Sequence, residues 1–228
     1  MKILFFDLDD TLYNQIVPFQ NAMQTVALEV DDVDALYRLT RQYSDEVFHL
    51  SQDGHMTLES TQRYRIQKAL THFNISYSDA QADAFQAAYA YEQAHLCLDE
   101  DMEQLLIHLN AENYPIALIT NGPSDHQSKK IAALNLERYF DPNCIFISGD
   151  IGYYKPDIHI FQHVNTVTGT KPEDCLMIGD SYHNDILGAL NAGWNAIWLN
   201  HRENTHDVVS LTFASHKDLA EAILQLTQ

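Results

Sequence analysis

Asp7 and Asp9 stand two residues apart in Asp7-Leu8-Asp9-Asp10-Thr11, directly behind the apolar run Ile3-Phe6. In an extended chain residues i and i+2 project to the same side, so both carboxylates are predicted to face one site. Two such charges ~4 Å apart repel by about 4 kcal/mol at an effective dielectric of 20. A fold keeps the pair where a cation binds or where one acid holds a proton. Three further groups follow along the chain. Thr120-Asn121-Gly122 offers a hydroxyl and a turn whose backbone N–H groups can meet an anion. Lys155 precedes Pro156, which is expected to open a helix and so set the ammonium beside its positive end. Gly179-Asp180-Ser181-Tyr182-His183-Asn184-Asp185 adds two more carboxylates. Singly, each has an ordinary reading as a helix cap, a turn or a solvated corner. Together, each at the end of an apolar run, they describe an acidic, oxygen-lined pocket with one lysine.

The runs themselves predict the scaffold. Ile3-Phe6, Ile116-Ile119, Ile145-Ile147, Cys175-Ile178 and Ala196-Leu199 lack polar alternation, as strands buried on both faces of a parallel sheet do. Between them lie helical stripes: Met102, Leu105, Leu106 and Leu109; Ile131, Leu134 and Leu136; Ile160, Phe161 and Val164; Ile186, Leu187, Ala189 and Leu190. Alternating strand and helix imply a doubly wound α/β parallel sheet, whose ligands bind at the carboxyl ends of the strands. Leu211-Ala214 is expected to add an edge strand before a final helix over Leu219–Leu226.

From about residue 15 to 96 that pattern stops. Helical stripes run through 17–29, 33–50, 58–73 and 79–95, Gly54 is the sole glycine, and Ser78 with Gln81 fits a capping box. The expected organisation is an α/β core over 1–14 and 97–228 with an all-helical domain inserted at 15–96. Phe85, Tyr89 and Tyr91 are expected in the core of that insertion.

Composition narrows the partners. A net charge of −19 repels phosphate polymers, and the 13 Lys and Arg are scattered, Lys129-Lys130 being the densest pair, so nucleic-acid binding is not expected. Three cysteines at wide spacing, Cys97, Cys144 and Cys175, indicate neither a disulfide framework nor a zinc ribbon; Cys175 reads as a small buried hydrophobe. No apolar run reaches the length needed to cross a bilayer, and the start turns acidic too early for a signal peptide. A cytoplasmic location is the expectation. The histidines form no His-Glu-x-x-His motif, and His126 and His183 are read as surface residues.

The order DLDDT, ITNG, YYKPD, GDSYHND resembles the four motifs of the haloacid dehalogenase superfamily. The resemblance covers roughly residues 1–14 and 97–228, and the helical insertion looks like the cap of subfamily I. It implies a Rossmann-like core and a magnesium-dependent phosphatase acting on small phosphorylated metabolites. By resemblance, Asp7 is the nucleophile and Asp9 protonates the leaving oxygen, then activates water. Thr120 with the neighbouring Asn121 and Gly122 holds phosphate, and Lys155 neutralises its charge. Asp7, Asp180 and the Asp9 carbonyl bind Mg²⁺, with Asp185 in support. Asp10 stands where Gly is frequent and Ile158 where a second Pro often follows. Dehalogenases of the family carry an aromatic residue at the position of Asp9 and need no metal, which argues against that activity. A sugar-phosphate mutase shares every motif. A receiver-type signalling module shares the acidic pocket but lacks an inserted helical domain, and a non-catalytic scaffold is disfavoured because every catalytic position is filled. The core segments look most like nucleotidases acting on nucleoside 5′-monophosphates, with phosphoglycolate and sugar phosphates as the next substrate classes.

Overall fold

A computed structural model describes residues 3–52, 55–201, 206 and 211–227. Gly54 lies outside them. The chain divides into two compact units, 1–14 with 96–228 and 15–95.

In chain order the first unit opens with β1 (Ile3–Phe6). The second unit follows, built from α1 (Ile16–Thr25), α2 (Val33–Gln52), α3 (Leu58–Thr71) and α4 (Asp79–Gln93). The first unit resumes with α5 (Glu100–Ala111), β2 (Ile116–Thr120), α6 (Ser124–Ala133), β3 (Ile145–Ile147), α7 (Ser148–Ile151) and α8 (Ile158–Thr168). It closes with β4 (Cys175–Gly179), α9 (Gly188–Asn191), β5 (Asn195–Leu199), β6 (Thr212–Phe213) and α10 (His216–Leu226).

The six strands form one parallel sheet in the order β3-β2-β1-β4-β5-β6. The two-residue period of the strands sorts the core into two layers. Leu4 and Phe6 point into one layer with Leu118, Ile178 and the stripes of α5, α6 and α10. Ile3 and Phe5 point into the other with Ile119, Met177 and Ile160, Phe161 and Val164 of α8. Burying a Leu, Ile or Phe side chain contributes about 1.5–3 kcal/mol, so the apolar runs are where the sheet gains its stability. The fold class is the doubly wound α/β core expected, with an all-helical second unit. Chain order reverses at β1, since β2 and β3 build one flank and β4 to β6 the other. That switch point is where such sheets open a crevice.

Within the helical unit, Phe19 packs edge-on against Tyr37, Phe85 and Tyr89 at centroid distances of 5.3, 5.1 and 5.7 Å. Ser78 and Gln81 form the reciprocal capping box that opens α4. Tyr91 departs from expectation: Phe85 and Tyr89 are buried, but Tyr91 is 62% exposed. It lies two residues past Tyr89, about 200° around the helix, so it cannot share that face.

Two helix starts in the core also differ. α8 begins at Ile158, capped by the Asp157 carboxylate, which accepts from His159 N at 3.0 Å. Pro156 precedes the helix, and its bond to Lys155 is cis. The stretch after β4 is a widened π-type turn over Tyr182–Leu187 before the short α9, not one regular helix. Asp185 folds back there so that its Oδ2 accepts from Ser181 N at 2.9 Å.

Candidate active site

The register of the central strands assembles the site. Phe6 pairs with Leu118 on one side and Ile178 on the other, so Asp7 emerges level with the ends of β2 and β4. Its N–H donates to Ile178 O at 2.9 Å, extending the ladder by one residue. The chain then turns sharply, Leu12 N bonding Leu8 O at 3.0 Å. Asp10 sits in that turn with φ 59°, in the left-handed region where Gly is the unstrained choice. Asp tolerates that conformation better than most residues, which accounts for its standing at a position where Gly is frequent.

Lys155 is the centre of the pocket. It is 2% exposed, and its Nζ lies 2.6 Å from Asp7 Oδ1, 2.6 Å from Asp185 Oδ1 and 2.8 Å from Ile119 O. Its backbone is clamped by Asn121, whose Nδ2 donates to Lys155 O at 2.8 Å and whose Oδ1 accepts from Lys155 N at 2.9 Å. What positions Lys155 is thus the Asn121 side chain and not a helix end, a correction to the sequence expectation. The Gly122 N–H donates to Ser148 Oγ at 2.9 Å. The expected phosphate role therefore narrows for Gly122, whose backbone donor is taken by Ser148 Oγ, while the Asn121 side chain, which that expectation did not use, holds the Lys155 backbone.

Asp7 and Asp9 repel, but a different lysine meets each: Lys155, shared with Asp185, meets Asp7, and Lys130 meets Asp9. Asp9 is held by Lys130 Nζ at 2.7 Å to both carboxylate oxygens, by the Tyr13 hydroxyl at 2.5 Å and by Gln127 Nε2 at 3.1 Å. Gln127 Nε2 also donates to Thr120 Oγ1. Burial alone would raise the Asp9 carboxyl, but the Lys130 charge and these hydrogen bonds outweigh it and hold Asp9 below the usual carboxylate range. Asp7 goes the other way, pushed up to about 7 by burial, with the Lys155 charge opposing and the Asp185 and Asp9 charges adding to the rise. Lys155 stays charged: burial works against the ammonium, yet Asp185 and Asp7 together lift it above the ordinary lysine value.

Lys130 and Gln127 escaped the sequence reading, which counted Lys130 among scattered cations. The available signal was spacing. Gln127, Lys130, Ile131 and Leu134 follow i, i+3, i+4, i+7, so the polar pair shares the buried stripe of α6 with the apolar residues, and both are buried. A lysine on a core-facing stripe needs an acid to meet it.

The carboxylate oxygens of Asp7, Asp180 and Asp185 lie within 4.8 Å of one another. Asp180 is anchored through its carbonyl, which accepts from Trp198 Nε1 at 2.8 Å. Gly179 is what lets Asp185 approach, because a Cβ there would stand 2.3 Å from Asp185 Oδ2. Three carboxylates against the single ammonium of Lys155 leave excess negative charge on hard oxygen donors, and such a set fits Mg²⁺. Asp10, Asp180 and His201 form a second such group, sharing Asp180. The Asp9 side chain belongs to neither group. His183 is exposed and Cys175 fully buried, as expected. Among the described residues no helix is long and apolar enough to cross a membrane.

Comparison with known proteins agrees with this geometry. Residues 1–193 match the family model of haloacid dehalogenase-like hydrolases. Glyceraldehyde 3-phosphate phosphatase from Methanothermobacter thermautotrophicus is 30% identical over 88% of this chain and 86% of its own. The pyrimidine 5′-nucleotidase YjjG from Escherichia coli is 27% identical over 90% and 89%. L-2-haloacid dehalogenase from Xanthobacter autotrophicus superposes with a TM-score of 0.67 over 99% of both chains at 16% identity, a likeness of fold. With four motifs in order around one lysine and a family match over most of its length, this chain belongs to the haloacid dehalogenase-like hydrolases.

Proposed function

We propose that this enzyme hydrolyses phosphate monoesters of small metabolites through a phosphoryl group carried on Asp7. The observation that supports it most is Lys155: a buried ammonium 2.6 Å from Asp7, at the strand edge where Thr120 and Asp180 also emerge. Phosphoryl transfer depends chiefly on positioning and charge stabilisation, and this pocket offers both.

In the first step an Asp7 oxygen bonds to phosphorus as the bond to the leaving oxygen breaks, and Asp9 gives that oxygen its proton. In the second, water attacks the phosphoryl group, Asp9 takes the water's proton and the Asp7 carboxylate is released. Lys155 and the Thr120 hydroxyl hold the non-bridging oxygens. In the docked arrangement described above Asp9 has no proton to give, since three donors occupy its oxygens. Its acid role requires it to leave Lys130 and gain a proton first. Asp7, Asp180 and the Asp9 carbonyl would hold Mg²⁺, with Asp185 behind them, and the ion would supply positive charge against the phosphate. The helical unit, residues 15–95, would serve as the cap that selects substrate.

For substrate class, the relatives' names cover a sugar-phosphate-like aldehyde and pyrimidine nucleotides. The −19 charge disfavours polyanionic polymers. We infer a small soluble monoester and place nucleoside 5′-monophosphates first. The test compares kcat/KM for pyrimidine nucleoside monophosphates, glyceraldehyde 3-phosphate, phosphoglycolate and sugar phosphates against p-nitrophenyl phosphate, with magnesium and with a chelator. Turnover of none of them sinks the phosphatase reading. A nucleotide value below the generic reference removes only the nucleotidase assignment.

A further inference from the structure

Gln127 touches both the residue that would anchor phosphate and the residue that would move the proton. It is 1% exposed on α6, and its Nε2 donates to Asp9 Oδ2 at 3.1 Å and to Thr120 Oγ1. A carboxylate can only accept, so the amide nitrogen, not the oxygen, must face Asp9. That orientation commits both amide hydrogens, one to each partner. A threonine hydroxyl has one hydrogen to donate. Because Thr120 Oγ1 receives the Gln127 N–H, its own hydrogen points away from the amide and is left for an incoming oxygen. The space for this bridge comes from Gly122, where a Cβ would stand 2.9 Å from Gln127 Cγ and 3.0 Å from Cδ.

We infer that Gln127 is a positioning residue for phosphate-ester hydrolysis, fixing the Thr120 hydroxyl as a donor toward the phosphoryl group while docking Asp9 from the same nitrogen. The inference rests on the phosphatase reading above. It assigns Gln127 no contact with substrate. It ties two events that are otherwise separate: when Asp9 departs for the leaving group, the amide keeps its grip on Thr120, so the phosphate anchor stays oriented through the proton transfer.

Gln127→Met keeps the volume and removes both donors. Inorganic phosphate, as a competitive inhibitor of the magnesium-loaded enzyme, should bind about tenfold more weakly to this variant, the range expected for a lost buried hydrogen bond. In a Thr120→Val background there is no hydroxyl to orient, and adding Gln127→Met should then change phosphate inhibition less than about twofold, whereas in a Thr120→Ser background, which keeps the hydroxyl, the loss of about tenfold should return. The second measurement is leaving-group dependence. The loss in kcat/KM should be about threefold smaller for alkyl phosphates than for 2,4-dinitrophenyl phosphate, whose phenolate departs without a proton, because an Asp9 with one donor fewer leaves its dock more readily. Melting temperature checks that the variant folds. Should it not, Gln127→Leu removes the same two donors with a different shape and is read by the same two measurements. Additive phosphate inhibition together with an equal loss for every leaving group overturns the inference and leaves Gln127 a packing residue. A wild-type enzyme inactive on all phosphate esters overturns the function itself, and the inference with it.

Discussion

Asp7 and Asp9 stand two residues apart, each within 2.7 Å of a buried lysine, and their proton affinities move in opposite directions. The lysine distances do not explain the difference, since both are close. How each lysine is shared does. Lys155 divides its charge between Asp7 and Asp185, both deeply buried, so burial prevails and Asp7 rises. Among the described residues Lys130 meets only Asp9, and Tyr13 and Gln127 add donors to the same carboxylate, so the bound anion prevails. Counting anions per cation, together with hydrogen bonds per anion, decides the sign where distance does not.

The largest effect expected of this comparison is catalytic. Asp7→Asn should lower kcat by at least ~10³-fold, since it removes the attacking oxygen and almost no volume. A variant retaining several per cent of turnover would break the assignment of Asp7. Next comes stability. Lys155→Met strands two buried carboxylates and should cost about 3–5 kcal/mol in urea unfolding. Lys130→Met leaves Asp9 two other donors and partial solvent, so about 1–2 kcal/mol is expected there. Equal costs would show that sharing of the cation does not matter.

A third measurement uses protons. The Asp7 carboxyl rises from 3.8 to about 7 on folding. Between those values the folded state holds the extra proton, so this group makes the metal-free protein lose stability as pH rises. Asp9 acts with the opposite sign: its contribution is present above 3.8 and is lost as pH falls through its depressed folded value. Magnesium needs the Asp7 carboxylate, so its stabilisation should grow between about pH 5 and pH 8. At ~100 times the dissociation constant it should reach about 2.7 kcal/mol, or roughly 5–10 °C in Tm. A rise in Tm independent of pH would remove Asp7 from the metal site. The smallest effect belongs to Tyr13→Phe, which deletes one of four contacts to Asp9 and should cost about 1 kcal/mol or less.

The scaffold was legible because its signal is local. Ile3-Phe6 and Cys175-Ile178 announce buried strands by lacking any polar alternation, and Ser78 with Gln81 announces a cap four residues long. Asp7 and Asp180 were read the same way, following within two residues of such a run, while Asp185 stands seven residues past one. What escaped depends on groups far apart in sequence. Nothing near Asp9 says that Lys130, 121 residues later, will hold it. Nothing in Thr120-Asn121-Gly122 says that the Asn121 side chain will bind the main chain of Lys155. Tyr91 failed differently: its apolar ring was weighed without its angle around α4. The turn after β4 takes π-type spacing, Ile186 N bonding Ser181 O, and carries the Asp185 bond to Ser181 N–H, neither of which periodicity encodes.

The Asn121-Gly122 pair carries one more consequence, for how this molecule ages. Asn-Gly is the dipeptide most prone to spontaneous deamidation, in which the glycine nitrogen attacks the asparagine side-chain carbonyl and ammonia leaves through a cyclic imide. Here that nitrogen donates to Ser148 Oγ, and the carbonyl oxygen receives Lys155 N–H. The attacking nitrogen and the carbonyl oxygen of the ageing reaction are thus each engaged in a hydrogen bond of the site. In the folded protein the position is shielded; each excursion to the unfolded chain exposes it. An aspartate formed there would set an acceptor against the Lys155 carbonyl, where Asn121 Nδ2 now donates, so old protein would lose its lysine clamp before its fold.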